Sequence, residues 1–423
     1  MISKLKITPA FINASFYYFS SFGIGILRYF FHLILLRFLN PSSYGEFLAY
    51  LSLIFLLSVP SSTIGTLVIR RVSRLSKVDY SHTNSFFYKI LKIFSLPTIV
   101  AAFILVLIAP FLANLFKSQN DAFIILAFFL VISLPSTILR SILTAQEKLS
   151  LVSLIGIVEV VFTLVFTFIF LSWKPDPIIP VIVQVTSVIF GCLLMFFLLS
   201  KWLWPVNHSS NDSHLNLKGD LVQSFIYSIS LASLISSDNL TLRVILDSHT
   251  SGFYAALSTI ARSFYFALSP LATIVLSVVA NRISDHKSPR TVFLKLFFTQ
   301  AGLSFAGLGL VLFVPSHIIA LLGGTTYQSL VALLPIQVAA SLFLSLNVFF
   351  VSTLMGLHYR HASILILIVA LAQPIALTFV RSLSDGVYLN FLVQALGSVL
   401  LGFFCISILV QFRPDGTKVK ASK

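Results

Sequence analysis

L-R-F-L-N-P-S-S-Y-G-E-F-L-A, residues 36–49, returns in weakened form 207 positions later as I-L-D-S-H-T-S-G-F-Y-A-A, residues 245–256. Leu39, Asn40, Gly45, Phe47 and Ala49 fall opposite Leu246, Asp247, Gly252, Tyr254 and Ala256. Each copy is a short polar break between long apolar stretches, so both mark the same corner of two related halves, where a tight turn at the glycine is expected to deliver the chain into the next span. A-N-L-F from Ala113 and A-L-L-G from Ala320 keep the same offset. In a bilayer, a chain built twice over has the architecture that opens a site between its repeats to each side in turn.

The bilayer follows from composition. Of 423 residues, 57% are hydrophobic and only 10% charged, whereas a soluble domain carries about a quarter charged residues. Hydrocarbon offers no partner to a free backbone group, so spans are helices of roughly 20 apolar residues. Twelve such spans are read at 11–35, 46–69, 93–113, 122–142, 150–171, 178–200, 222–243, 253–280, 292–314, 329–355, 362–381 and 386–410. The longest polar interruption near the middle, 201–221, separates six spans from six. The expected architecture is an all-α polytopic membrane protein, twelve transmembrane helices in two six-helix bundles (1–200 and 222–410) related by a pseudo-twofold axis, with a linker at 201–221 and a basic tail at 411–423. Six spans return the chain to its starting side, which makes the repeats parallel.

The net charge of +15 is a topology signal and not a nucleic-acid patch. Alternate loops hold 21 of the 28 Lys and Arg residues, Arg140 among them, and the opposite loops hold only Arg37, Lys117, Lys174 and Arg381. That asymmetry predicts both termini on the cytoplasmic side. Cys192 and Cys405 fall inside apolar spans, so neither a disulfide framework nor a metal cluster is expected. The first apolar stretch is too long for a signal-peptide core and is expected to stay in the chain. The outer connections are short, and no H-E-x-x-H, P-loop or G-x-G-x-x-G occurs. A transporter is expected, not an enzyme, and no cofactor beyond coupling to a proton or sodium gradient. A membrane-embedded glycan polymerase or transferase would need a large acceptor-binding outer loop.

Five charges fall within spans: Arg28, Glu159, Asp238, Arg243 and Arg262. Each is costly in hydrocarbon and should face protein or water. Asn13, Tyr17, Ser21, Arg28 and His32 form one polar stripe on the first span, and Tyr254, Ser258, Arg262, Tyr265, Ser269 and Thr273 form another on the eighth. Arg28 and Arg262 come out at similar depth and suit an anion of the phosphate or diphosphate kind, because guanidinium pairs with phosphate oxygens bidentately and stays charged. Asn13, Tyr17, His32, Tyr254, Ser258 and Tyr265 would line the same water-filled cleft. Glu159, Asp238 and Asn239 admit two readings, as coupling-ion ligands or as helix-pairing partners, with Asp238 set against Arg262 or Arg243 and Glu159 against Arg28. Arg243, at the end of its span, is expected to snorkel, and Gly23 and Gly25 to admit a close helix.

The run R-F-L-N-P-S-S-Y-G-E-F from Arg37, the T-L-V-I-R-R-V-S from Thr66, and D-N-L-T-L-R-V-I-L-D-S-H-T-S-G-F-Y-A-A-L-S-T-I-A-R from Asp238 to Arg262 resemble Wzx-type polysaccharide flippases of the multidrug/oligosaccharidyl-lipid/polysaccharide exporter superfamily. The resemblance implies translocation of an undecaprenyl-diphosphate-linked oligosaccharide to the periplasmic leaflet of a bacterial inner membrane. It implies a cationic lumen, with Arg28 and Arg262 falling where one is required, and a polysaccharide polymerase and chain-length regulator as partners. The chain lacks the two additional spans of lipid II flippases, which resemble it otherwise. A drug exporter of the same superfamily is the alternative and would want an acidic cavity.

Overall fold

A computed structural model describes residues 9–75, 80–146, 148–203, 218–285, 287–359 and 361–411. Among these residues there are fifteen α-helices, one short 3-10 helix and no strand. In chain order they are α1 (Pro9–Phe38), α2 (Pro41–Leu57), α3 (Val59–Leu75), α4 (Tyr80–Leu107), α5 (Ala109–Leu115), α6 (Asn120–Ala145), α7 (Leu149–Trp173), α8 (Ile178–Leu203), α9 (Lys218–Ile245), α10 (Ser248–Ser284), α11 (Arg290–Phe313), α12 (Pro315–Gly323), the 3-10 helix (Thr325–Leu330), α13 (Leu334–Gly356), α14 (Ala362–Leu377) and α15 (Leu383–Val410). The all-helical expectation holds. Nine helical stretches among the described residues, with α2 and α3 taken as one, are long and apolar enough to cross a membrane. The other three expected spans correspond to α1, to α9 with its many serines and charges, and to α14, which has 16 residues. The core of the expected linker, 204–217, and most of the tail, 412–423, lie outside the described residues.

Two helix breaks fall at prolines, whereas Pro97, Pro135, Pro270 and Pro374 lie inside continuous helices. Val59-Pro60 separates α2 from α3, and Ala109-Pro110 separates α4 from α5, because a proline has no N–H to continue the ladder. Termini are sealed locally: Ser382 and Asp385 form a reciprocal capping box on α15. The last carbonyls of α15 accept from Arg290, whose Nε lies 2.8 Å from the Leu409 oxygen.

The chain divides into two compact units: unit 1, Met1–Leu39 with Leu53–Phe225, and unit 2, Asn40–Ser52 with Ile226–Lys423. Each is built around one central helix. In unit 1 this is α6, which packs on α3, α4 and α8; in unit 2 it is α13, which packs on α10, α11 and α15. These are equivalent positions of the repeat. Of the apolar window of α13, 78% is buried, against 17% for α4 and for α11, whose exposed aliphatic and aromatic faces suit lipid. The core of unit 1 gathers Val68, Ile138, Ile142 and Met195, and that of unit 2 gathers Val275, Phe349, Leu354, Ile366 and Cys405.

Unit 2 contains the second copy of the repeated corner and the first from Asn40 onward. Neither is a loop. The segment read as a polar break is the first turn of a helix in each case, because the aligned polar residues are N-caps: the Asn40 side chain accepts from the Ser43 N–H at 2.8 Å, and Asp247 accepts from the N–H groups of His249 and Thr250 at 3.0 Å. Pro41 at the first helical position and Ser248 follow, so α2 and α10 start five residues earlier than the apolar pattern predicts. Gly45 and Gly252 are therefore helical, and their role is close approach. A Cβ on Gly45 would lie 2.7 Å from the Gly252 Cα, and one on Gly252 would lie 1.8 Å from the Pro41 carbonyl oxygen. The expected tight turn is corrected to a helix crossing.

Candidate functional site

Three constellations take up the intramembrane charges. The first locks the corner. Arg243, at the end of α9, is 1% exposed and does not snorkel. Its Nη1 donates to the carbonyls of Ser42 (3.3 Å) and Ser248 (3.2 Å) and to the Ser251 hydroxyl (3.3 Å), so one guanidinium ties together the first turns of α2 and α10. Glu46 and Asp247 supply the nearby negative charge. The Tyr44 hydroxyl donates to Thr259 at 2.9 Å across the same crossing.

The second lies inside unit 2 between α9, α10 and α13. Asp238 pairs with Arg262, and both are covered, with side-chain exposures of 2% and 11%. Tyr254 donates to Asp238 Oδ2 at 2.9 Å and accepts from Gln337 at 3.3 Å. A guanidinium only donates, so the Asn239 amide turns its oxygen to Arg262 Nη1 (2.5 Å) and its nitrogen to the Ser258 hydroxyl (3.0 Å). Tyr254, Ser258 and Tyr265 are all buried. Further along α9, Ser237 reaches Gln373 of α14 at 3.5 Å, and Gln373 donates to Asn390 of α15 at 3.0 Å. The stripe on α10 is thus a buried seam through Tyr265, half-buried at Ser269 and exposed only by Thr273. Arg262 has a counter-ion within the protein, and both Asp238 and Asn239 are engaged with it.

The third lies in unit 1 on α1, α6 and α7. Glu159 accepts from Arg140 Nη2 with both carboxylate oxygens at 2.7 Å. This partner was missed. Arg140 counts with the loop cations because it lies two residues before the end of the expected span 122–142, yet α6 runs on to Ala145, and Glu159 pairs with Arg140 in place of Arg28. The only sequence signal for the pair was the lone carboxylate on α7. Arg28 is exposed on α1 and within electrostatic range of both. Among the described residues its guanidinium forms no hydrogen bond or ion pair. His32, one turn on, is half-buried with its ring 5.5 Å from Phe31. Asn13 and Tyr17 fall on the α1 backbone with side chains outside the described set. Gly23 and Gly25 meet nothing within 4 Å; the close approach of α1 is at Gly156 of α7, where a Cβ would lie 3.0 Å from Ile24.

The second and third constellations differ in net charge among the described residues. In unit 2 one Asp meets one Arg. In unit 1 two Arg face one Glu, and one of the cations is open. Among the described residues no group of His, Cys, Asp or Glu is arranged to hold a metal ion.

No family model matches the sequence, and no curated protein matches it. Solved structures do. An inward-facing MATE multidrug-resistance transporter of the MOP superfamily superposes with a TM-score of 0.71 at 12% identity, covering 91% of this chain and 94% of that one. The lipid II flippase MurJ in an inward closed conformation gives 0.66 at 16% identity, covering 93% of this chain and 89% of that one. An outward-facing MATE transporter of the same superfamily gives 0.57 at 14% identity, with 92% and 93% covered. At such identities the likeness is one of fold, and it runs the length of the chain: this is a multi-pass helical membrane protein with the fold of MOP-superfamily transporters.

Proposed function

We propose that the chain is a flippase for a lipid-linked oligosaccharide of the undecaprenyl-diphosphate class, carrying it from the cytoplasmic to the periplasmic leaflet of a bacterial inner membrane by exposing one site to the two leaflets in turn. The observation that carries this reading is the surplus cation of unit 1. Arg28 and Arg140 face a single carboxylate, Glu159, and Arg28 is exposed with its donors free among the described residues. A charge left open within a span is expensive unless a ligand or water meets it, and an arginine meets phosphate oxygens two at a time. The sugars follow the headgroup, and the prenyl tail stays in lipid. An exporter of organic cations with the same fold would want the surplus reversed. Arg262 is assigned to the Asp238 pair and not to the anion.

In a strain lacking its own copy, Arg28→Ala is expected to abolish surface glycan while membrane levels of the protein hold, and Arg28→Lys to restore part of it. Glycan display undiminished in Arg28→Ala would sink the reading. Coupling to protons or sodium is part of the proposal, and collapse of each gradient in turn separates the two.

A further inference from the structure

In unit 1 a carboxylate of the chain itself takes up part of the cations' donor capacity. Both oxygens of Glu159 approach one nitrogen, Nη2 of Arg140, at 2.7 Å. A side-on fork would engage two nitrogens; this end-on contact leaves Nη1 and Nε without a hydrogen bond among the described residues. The carboxylate is covered at 12% exposure while the Arg140 side chain is open at 35%. Glu159 fits only because position 191 of α8 is glycine, where a Cβ would fall 1.8 Å from Oε1. The hydroxyls of Thr163 and Ser187 bond the Glu159 main-chain carbonyl, both at 2.8 Å, and do not reach the carboxylate. Among the described residues its carboxylate hydrogen-bonds to Arg140, with Arg28 within electrostatic range.

We propose that Glu159 is an internal counter-ion standing in for phosphate, and that Arg140 is a second phosphoryl-binding residue, held on Glu159 until the anion of a ligand competes for it. This rests on the anionic-lipid reading given above. Arg28 makes first contact with the diphosphate, and the second phosphoryl group then exchanges with the Glu159 carboxylate on Arg140. No bond is made or broken. The exchange selects for charge: a diphosphate brings enough to satisfy both arginines, whereas a singly charged phosphodiester headgroup engages Arg28 alone and leaves Arg140 on Glu159.

The test is a binding cycle on the purified full chain in detergent, with inorganic diphosphate and farnesyl diphosphate as probes and phosphatidylglycerol as the phosphodiester competitor. Glu159→Gln is expected to bind both diphosphates at least about fivefold more tightly than the unaltered chain. Arg140→Gln leaves Glu159 without its partner and is open to misfolding, so the decisive comparison is Arg140→Gln/Glu159→Gln. That double variant is expected to lose the gain. A folded Glu159→Gln with unchanged or weaker binding overturns the inference, as does a gain that survives without Arg140, or competition by phosphatidylglycerol at equal phosphate. Loss of glycan display in Arg28→Ala with no gain in Glu159→Gln would discard the counter-ion role and leave the flippase reading standing. Retained display with a clear gain would do the reverse, leaving a diphosphate site without the transport role.

Discussion

At the scale of single residues, the chain treats its intramembrane charges in two ways. Asp238 and Arg262 are closed on one another and on Tyr254 and Asn239, so removing one partner strands the other in a buried setting. Arg262→Ala is expected to cost about 3–5 kcal/mol, read as a fall in the unfolding midpoint in detergent. The paired change Asp238→Leu with Arg262→Met should recover most of that loss. If Arg262→Ala instead left stability intact and reduced only transport, the pair would belong to the substrate path after all. Arg28 has the opposite expectation: its guanidinium is open, and its loss should damage function far more than stability. The difference was not legible in the residues themselves. Both arginines sit in polar stripes of helical spacing, and only the positions of Asp238 and Glu159 on neighbouring helices tell them apart.

At the scale of elements, the corner that reads as a loop is a pair of capped helix starts crossing at two glycines. Gly252→Ala would drive a methyl group into the Pro41 carbonyl at 1.8 Å and is expected to destabilise by upwards of about 3 kcal/mol, since backbone must move. Gly25→Ala, where nothing lies within 4 Å, is the control and should be neutral or stabilising by up to about 1 kcal/mol. The caps are separable from the crossing. Asn40→Ala and Asp247→Ala should each cost about 1 kcal/mol in the same unfolding measurement. The Thr250 side chain and N–H groups at the start of α10 hold the Asp247 carboxyl below the usual carboxylate range. Its folded pKa being depressed, the ionic part of its contribution is complete above the ordinary value of about 3.9 and is lost as pH falls through the folded one. Asp247→Asn should keep the cap and lose that acid dependence, so an unchanged acid profile would assign the sensitivity elsewhere.

At the scale of the molecule, the repeat is visible as packing. α6 and α13 hold equivalent central places, and the helices around them correspond in turn. The distribution of lysine and arginine predicts where the link between halves lies relative to the bilayer. A cysteine placed at Ser210 should react with an impermeant reagent only from the cytoplasmic side; Cys192 and Cys405 are buried and contribute little background. Labelling from the periplasmic side would invert the topology. The unit boundaries do not follow the linear repeat, because Asn40–Ser52 of the first half groups with unit 2. The Arg243 and glycine contacts at the corner join this segment to residues about 200 positions on in the chain.

The amino-acid sequence alone determined that this is a membrane protein of duplicated helical spans, because insertion responds to apolar length and that quantity is local. It also marked five of the side chains that carry charge into those spans, Arg28, Glu159, Asp238, Arg243 and Arg262, but not Arg140. The apolar pattern places the helix starts at the corner too late because a capped first turn is polar in composition while already helical in geometry. Tertiary structure alone decided which charges are neutralised: it set Arg262 against Asp238 and Arg140 against Glu159, and left Arg28 open. Pairing depends on rotation and depth between separate helices, which no spacing within one helix records. The corner at Gly45 and Gly252 shows both halves of this division. Its repetition is written in the residues, and its function as a crossing follows from two backbones meeting where neither carries a Cβ.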